Sequence, residues 1–110
     1  MTDKLVVLVT CRSAKEAERI VRRLVQARLA ACGNIVRSPV RSIYRWKDKI
    51  ESAREVLLVI KTSRRRFPEL QAAIKHLHSY EVPEIIALPI AAGSGYLSWL
   101  AESIAPRKKG

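Results

Sequence analysis

The chain has 110 residues, 48% apolar and 28% charged, with a formal net charge of +11. That length fits a single domain, 1–110, able to bury about 60–70% of its unfolded surface without covalent staples. Two cysteines without Cys-x-x-Cys spacing exclude a disulfide-rich module, and no apolar run approaches the roughly 18 residues that a membrane span needs.

Leu5 to Val9 (LVVLV) is a continuous β-branched run, which predicts a strand buried on both faces. It is too short for a signal-peptide core. The chain therefore reads as a soluble, cytoplasmic protein with both thiols free. Ser13 stands three residues before Glu16, a capping-box spacing. Ala17, Ile20, Val21, Leu24 and Val25 then form one apolar helical face, and Gly33 weakens any continuation. From Val40 to Trp46 the period changes to two, as in a strand, and Pro39 marks a bend or an edge. Lys47-Asp48-Lys49 reads as a hairpin turn, because Asp tolerates left-handed backbone. Glu55 to Thr62 (EVLLVIKT) returns as a buried strand. Pro68 suits a first helical turn, and Leu70, Ala73, Ile74 and Leu77 give that helix its apolar face. Pro83 pushes Val82 out of helical angles, so the helix ends before it. EIIALPI is the fourth strand. Leu97, Leu100, Ala101 and Ile104 stripe a short last helix stopped by Pro106. The basic tail, 106–110, reads as flexible.

The order β-α-β-β-α-β plus a terminal helix predicts an α+β, ferredoxin-like sandwich with two helices on one face of an antiparallel sheet. Its second strand, from near Cys32 to Trp46, would reach about 40–50 Å. A globule of this size has a radius of gyration of only about 13 Å. Such a ribbon outruns its own domain, so its aromatic tip calls for a partner, most simply another copy of the chain.

The segments LAACGNIVRSPVRSIYRWKDKIE, EVLLVIKT, HSYEVPEIIALPI and GYLSWL occur in collinear order over nearly the whole chain and resemble the CutA family of divalent-cation tolerance proteins. The resemblance implies a ferredoxin-like subunit, a tight homotrimer paired through the long hairpins, and a likeness to PII-type signal proteins. It implies no enzymatic activity, and copper binding is attributed to some members. Family members often have Gly where this chain has Asp48, and Pro where it has Ser79. Some carry Cys at the position of Val9 and His at the position of Leu77, so fewer implied copper ligands are present here.

HSYEVPEII, His78 to Ile86, admits two readings. One is a site for copper or another divalent cation, held weakly by Cys11, His78 and Glu81, because Cu(II) and Zn(II) favour imidazole, thiolate and carboxylate. The other is a helix-to-strand joint in which His78 and Glu81 bond the local backbone. Tyr44, Trp46, Lys61, Tyr80 and Glu84 are candidates for subunit packing or for a cleft that takes an anionic small molecule, as in a PII-like sensor. Cys32 reads as a small buried hydrophobe. No nucleophile-elbow, zinc-protease or phosphate-loop motif occurs, so no catalysis is expected. A net charge of +11 invites an RNA-binding reading. That mode needs aromatics on the central strands, and LVVLV and EVLLVIKT have none, so no specific nucleic-acid partner is expected.

Overall fold

The structure is a computed structural model and describes residues 2–106. The basic run Arg107-Lys108-Lys109 and Gly110, read from the sequence as a flexible tail, lies outside the described residues.

The elements follow the expected order: β1 (Lys4–Cys11), α1 (Ala14–Gln26), β2 (Cys32–Trp46), β3 (Lys49–Ser63), α2 (Phe67–Leu77), β4 (Ile85–Pro89) and α3 (Tyr96–Ser103). The strands form one four-stranded antiparallel sheet in the order β2-β3-β1-β4. This is the ferredoxin-like arrangement. Leu5, Val7 and Val9 of β1 and Leu58 and Ile60 of β3 face α1 and α2, which add Ile20, Leu24, Leu70 and Ile74 to one core.

Burial on β1 alternates instead of enclosing both faces. Val6 and Leu8 are only half-buried, and on β4 Ile86 and Leu88 are 48% and 47% exposed. The expectation of a strand buried on both faces is thus corrected: among the described residues, the sheet face opposite the two helices is only partly covered, with Tyr96 of α3 reaching Cys32 at one end.

Ser13 caps α1 as its spacing predicts, its Oγ accepting from Glu16 N at 3.1 Å. The helix stops well before Gly33. Arg28 takes a left-handed φ of 59°, and Arg28 N and Leu29 N donate to Val25 O and Leu24 O, the paired bonds of a Schellman end. Arg28 replaces the usual glycine there, and its guanidinium donates to Glu102 O in the last turn of α3 and to Ala105 O just past it. Gly33 serves packing instead, since a Cβ there would come within 2.9 Å of Val21 Cγ2 on α1.

The hairpin is longer than its apolar half suggested. β3 begins at Lys49, and the polar residues Glu51, Ser52 and Arg54 pair with β2 as regularly as the apolar ones. Pro39 sits in the register shift between Val36 and Val40 on the edge strand β2. The turn itself is only Lys47-Asp48, with φ of 50° and 65°, because Lys49 already pairs with Trp46. Two successive left-handed residues give the turn whose twist matches its strands.

Candidate functional site

Two sites share the segment His78-Ser79-Tyr80. The first forms where β1 ends, α1 begins and α2 ends. One side-chain ligand atom from each of Cys11, Glu16 and His78 falls within 4.8 Å of the others, and all three residues are buried. Topology produces this meeting. The start of α1 and the end of α2 both come to the Cys11 end of β1, because a split βαβ unit returns its helices to the same sheet face.

Each group in the cluster already has work to do. His78 caps α2, its N–H donating to Ile74 O. Its ring Nδ1 accepts from Tyr80 N at 3.0 Å, which leaves the proton on Nε2 to donate to Thr10 O at 2.8 Å. Glu16 Oε1 accepts from Arg12 N at 3.4 Å, and Oε2 from Ser79 N at 3.1 Å. Burial pushes the Glu16 carboxyl up, but the Ser79 hydrogen bonds, the neighbouring imidazole and the Arg12 N–H outweigh it and hold the group below its ordinary value. The Cys11 thiol is pushed up to about 12, first by burial and then by the carboxylates of Glu16 and Glu55. A thiol metal ligand must be deprotonated and a ring nitrogen must offer a lone pair. These residue types suit a divalent cation, but their present bonding does not fit one: an ion must displace the Tyr80 N–H and remove the thiol proton. For His78 this is the bonding of a helix-to-strand joint, whereas Glu81, expected to share it, is exposed on the cleft.

The second site is an open cleft of about 670 Å³ between the hairpin and the 79–84 segment. Tyr44, Trp46 and Tyr80 supply aromatic surface, and Glu55, Glu81 and Glu84 supply carboxylates. None of the lining residues is Lys or Arg. Glu55 is 6% exposed and accepts from Tyr80 Oη at 2.7 Å. Burial first, then the bond to Glu55 and its charge, raise the Tyr80 phenol above its ordinary range.

The structure sorts the expected residues differently from the sequence. Cys11 and His78 do meet. Glu81 is exposed on the cleft, and Glu16 occupies the third position of the cluster. Lys61 is not a cleft residue; it lies across the sheet from Val6 and Cys32 and donates to the Asn34 side chain. Tyr44, Trp46, Tyr80 and Glu84 do share the cleft. Cys32 is half-buried, not buried, and its Sγ lies 2.8 Å from Tyr96 Oη. Sequence reasoning did not single out Glu16 beyond its cap, nor Glu55 beyond a strand start.

Residues 5–103 match the family model described as CutA1 divalent ion tolerance protein. The chain is 50% identical over 99 residues to the divalent-cation tolerance protein CutA of Thermus thermophilus, covering 89% of this chain and 95% of that protein. It is 40% identical to the protein of that name from Archaeoglobus fulgidus, with the same two coverages. The solved structure of CutA from Xylella fastidiosa superposes with a TM-score of 0.91 at 37% identity, covering 94% of this chain and all of that one. The Thermus thermophilus structure superposes with a TM-score of 0.89 at 48% identity, covering 93% and 99%.

Proposed function

The chain belongs to the CutA1 divalent ion tolerance family, and on that premise we propose that it works as a homotrimer joined through its β2–β3 hairpins. In this reading it supports divalent-cation tolerance without catalysing a reaction, and it meets copper or a similar ion directly only weakly.

The observation that carries the assembly is apolar surface left bare. The paired stretch from Val40–Glu55 to the turn extends about 20 Å and carries Ile43 at 70% and Ile50 at 65% exposure. The described chain spans 51 × 30 × 24 Å, with a radius of gyration of 14.8 Å against about 13 Å for a compact chain of this length. The open sheet face adds Ile86 and Leu88. A monomer rarely leaves such a patch uncovered. Weak metal contact is supported by the hydrogen bonds that already occupy Glu16 and His78. We assign the protein to the cytoplasm, where the free Cys11 and Cys32 stay reduced. Among the described residues no helix is long and apolar enough to cross a membrane.

Two other readings have less support. A small-anion sensor would place its ligand among three carboxylates. A base-stacking RNA platform would need aromatics on β1 and β3, and neither strand has one.

Native mass spectrometry with and without Cu(II) tests the proposal. Three chains per particle are expected, with copper lost on mild activation. Tyr44→Ala/Trp46→Ala is expected to dissociate the particle; an unaltered assembly in that variant would defeat the hairpin interface.

A further inference from the structure

We propose that the outer face of the helix layer, α1 and α2, binds the sugar-phosphate backbone of duplex DNA without reading its sequence. Over residues 12–26 and 64–76 the exposed Lys and Arg outnumber the exposed carboxylates eight to two. Those carboxylates are Glu18 and Glu69, and Glu18 is already paired with Arg22. A large share of the net charge of +11 thus lies on one layer. Like charges at this density repel one another, and a polyanion relieves the repulsion. The helices lie on the side of the sheet away from its open face. An assembly that covers the hairpin and the open face therefore leaves this layer on the outside.

The charges are regularly placed. Lys15, Arg19, Arg22 and Arg23 stand at i, i+4, i+7 and i+8 of α1, where neighbouring Cβ atoms are about 5–6 Å apart. Two contacts carry this stripe across to α2. The Arg19 guanidinium donates to Leu77 O at 3.0 Å, and Arg23 and His76 line one groove between the helices. Lys75 adjoins His76, and Arg64 and Arg65 lead into α2. Both helices thus contribute cations to one seam.

The chemistry of the face narrows the partner. Six of its eight exposed cations are Arg, whose planar guanidinium matches phosphate oxygens in paired hydrogen bonds. Among the described residues, Val25 at 39% is the one large apolar side chain exposed on these two spans. The face therefore lacks the apolar stripe that enters a lipid surface and the apolar centre of a protein interface. It exposes no Phe, Tyr or Trp, so it lacks the stacking platform of single-strand binders. Duplex RNA is read largely through its 2′-hydroxyls, which calls for neutral polar groups, whereas charge dominates here. Contacts confined to phosphates position a duplex without specifying its sequence. This mode uses the helices, not the sheet, so it needs no aromatics on β1 or β3.

Fluorescence anisotropy of the full chain with a short labelled DNA duplex, over about 50–200 mM salt, tests this. Binding is expected at Kd of about 1–100 μM near physiological salt, equal for a scrambled sequence, with a log–log salt slope of about −3 to −5. Arg23→Gln/Arg65→Gln/Lys75→Gln removes three exposed cations and should make that slope shallower by about 2–3. Arg107→Gln/Lys108→Gln/Lys109→Gln removes the same charge from the end of the chain and should change it by less than about 1. Arg23→Gln alone, expected to change it by about 1, keeps the test open if the triple variant fails to fold. No binding at the lowest salt, equal slope changes in the two triple variants, or tighter binding of a single strand, of duplex RNA or of phosphatidylserine vesicles overturns the proposal. Each face belongs to one chain, so binding should persist in Tyr44→Ala/Trp46→Ala at reduced avidity. Failure of the trimer and failure of the DNA face are thus read apart.

Discussion

Glu16 and Glu55 are both buried carboxylates, at 8% and 6% exposure, and both bond the same three-residue segment, Glu16 at Ser79 and Glu55 at Tyr80. Backbone N–H groups of Arg12 and Ser79 occupy both oxygens of Glu16. Glu55 accepts from one phenol, Tyr80, and otherwise faces a cleft. The contrast separates two uses of a buried charge. Satisfied by fixed amides, it locks the meeting of β1, α1 and α2. Held by one phenol at the edge of a cleft, it keeps room for water beside it.

The largest expected difference between them is in stability. Glu16→Ala leaves the Ser13 cap in place but orphans the Arg12 and Ser79 backbone donors, which should cost about 2–4 kcal/mol in urea unfolding. Glu55→Gln keeps an acceptor for Tyr80 and should cost no more than about 1 kcal/mol. Equal losses would erase the distinction.

Acid titration sharpens it. The folded Glu16 carboxyl lies below its ordinary value of 4.5, so the unfolded state takes up its proton first as pH falls. Its stabilising contribution is therefore complete above the unfolded pKa and is lost as pH drops through the lower folded one. Asp3 is also held low, chiefly by its hydrogen bond to Lys4, but its side chain is 61% exposed, and solvent screens that pair. Melting temperature should thus fall below about pH 4.5, and Glu16→Gln should flatten that limb. An unchanged limb would move the acid sensitivity elsewhere.

Copper should discriminate less. His78→Ala removes a ring whose nitrogens are already bonded to Thr10 and Tyr80, so Cu(II) uptake should change by no more than about 3-fold. Loss of stoichiometric, micromolar binding would show that the metal outcompetes the joint.

Much of this was legible in the sequence. Ser13-x-x-Glu16 specified the helix start, and the period-two pattern up to Trp46 specified a long β2. Other features needed the third dimension. Glu16 reads as a local cap, since nothing near it in sequence says that Ser79, far along the chain, will donate to it. Glu81 looked like the nearer ligand because it follows His78 closely, yet His78 takes an extended conformation and the chain bends through 79–82, which carries Glu81 to the cleft. Lys49 to Arg54 escaped as strand because cross-strand pairing, not burial, holds a polar ribbon together. Half-buried Val6 and Leu8 were misread for a related reason: a doubly apolar strand suits burial on both faces but does not say what covers each.

The smallest expected effect tests the open side directly. Tyr80→Phe removes the hydroxyl that donates to Glu55 Oε2 but keeps the ring that lies 4.6 Å from the His78 ring. In a sealed core the freed carboxylate oxygen would bear the full cost of a lost partner. Beside a cleft of about 670 Å³, water can take the hydroxyl's place. The loss should then be about 0.5–1.5 kcal/mol in urea unfolding, with the acid limb unchanged because Glu16 keeps both of its donors. A loss above about 3 kcal/mol would mean that Glu55 is as enclosed as Glu16, and the two carboxylates would be a single structural network.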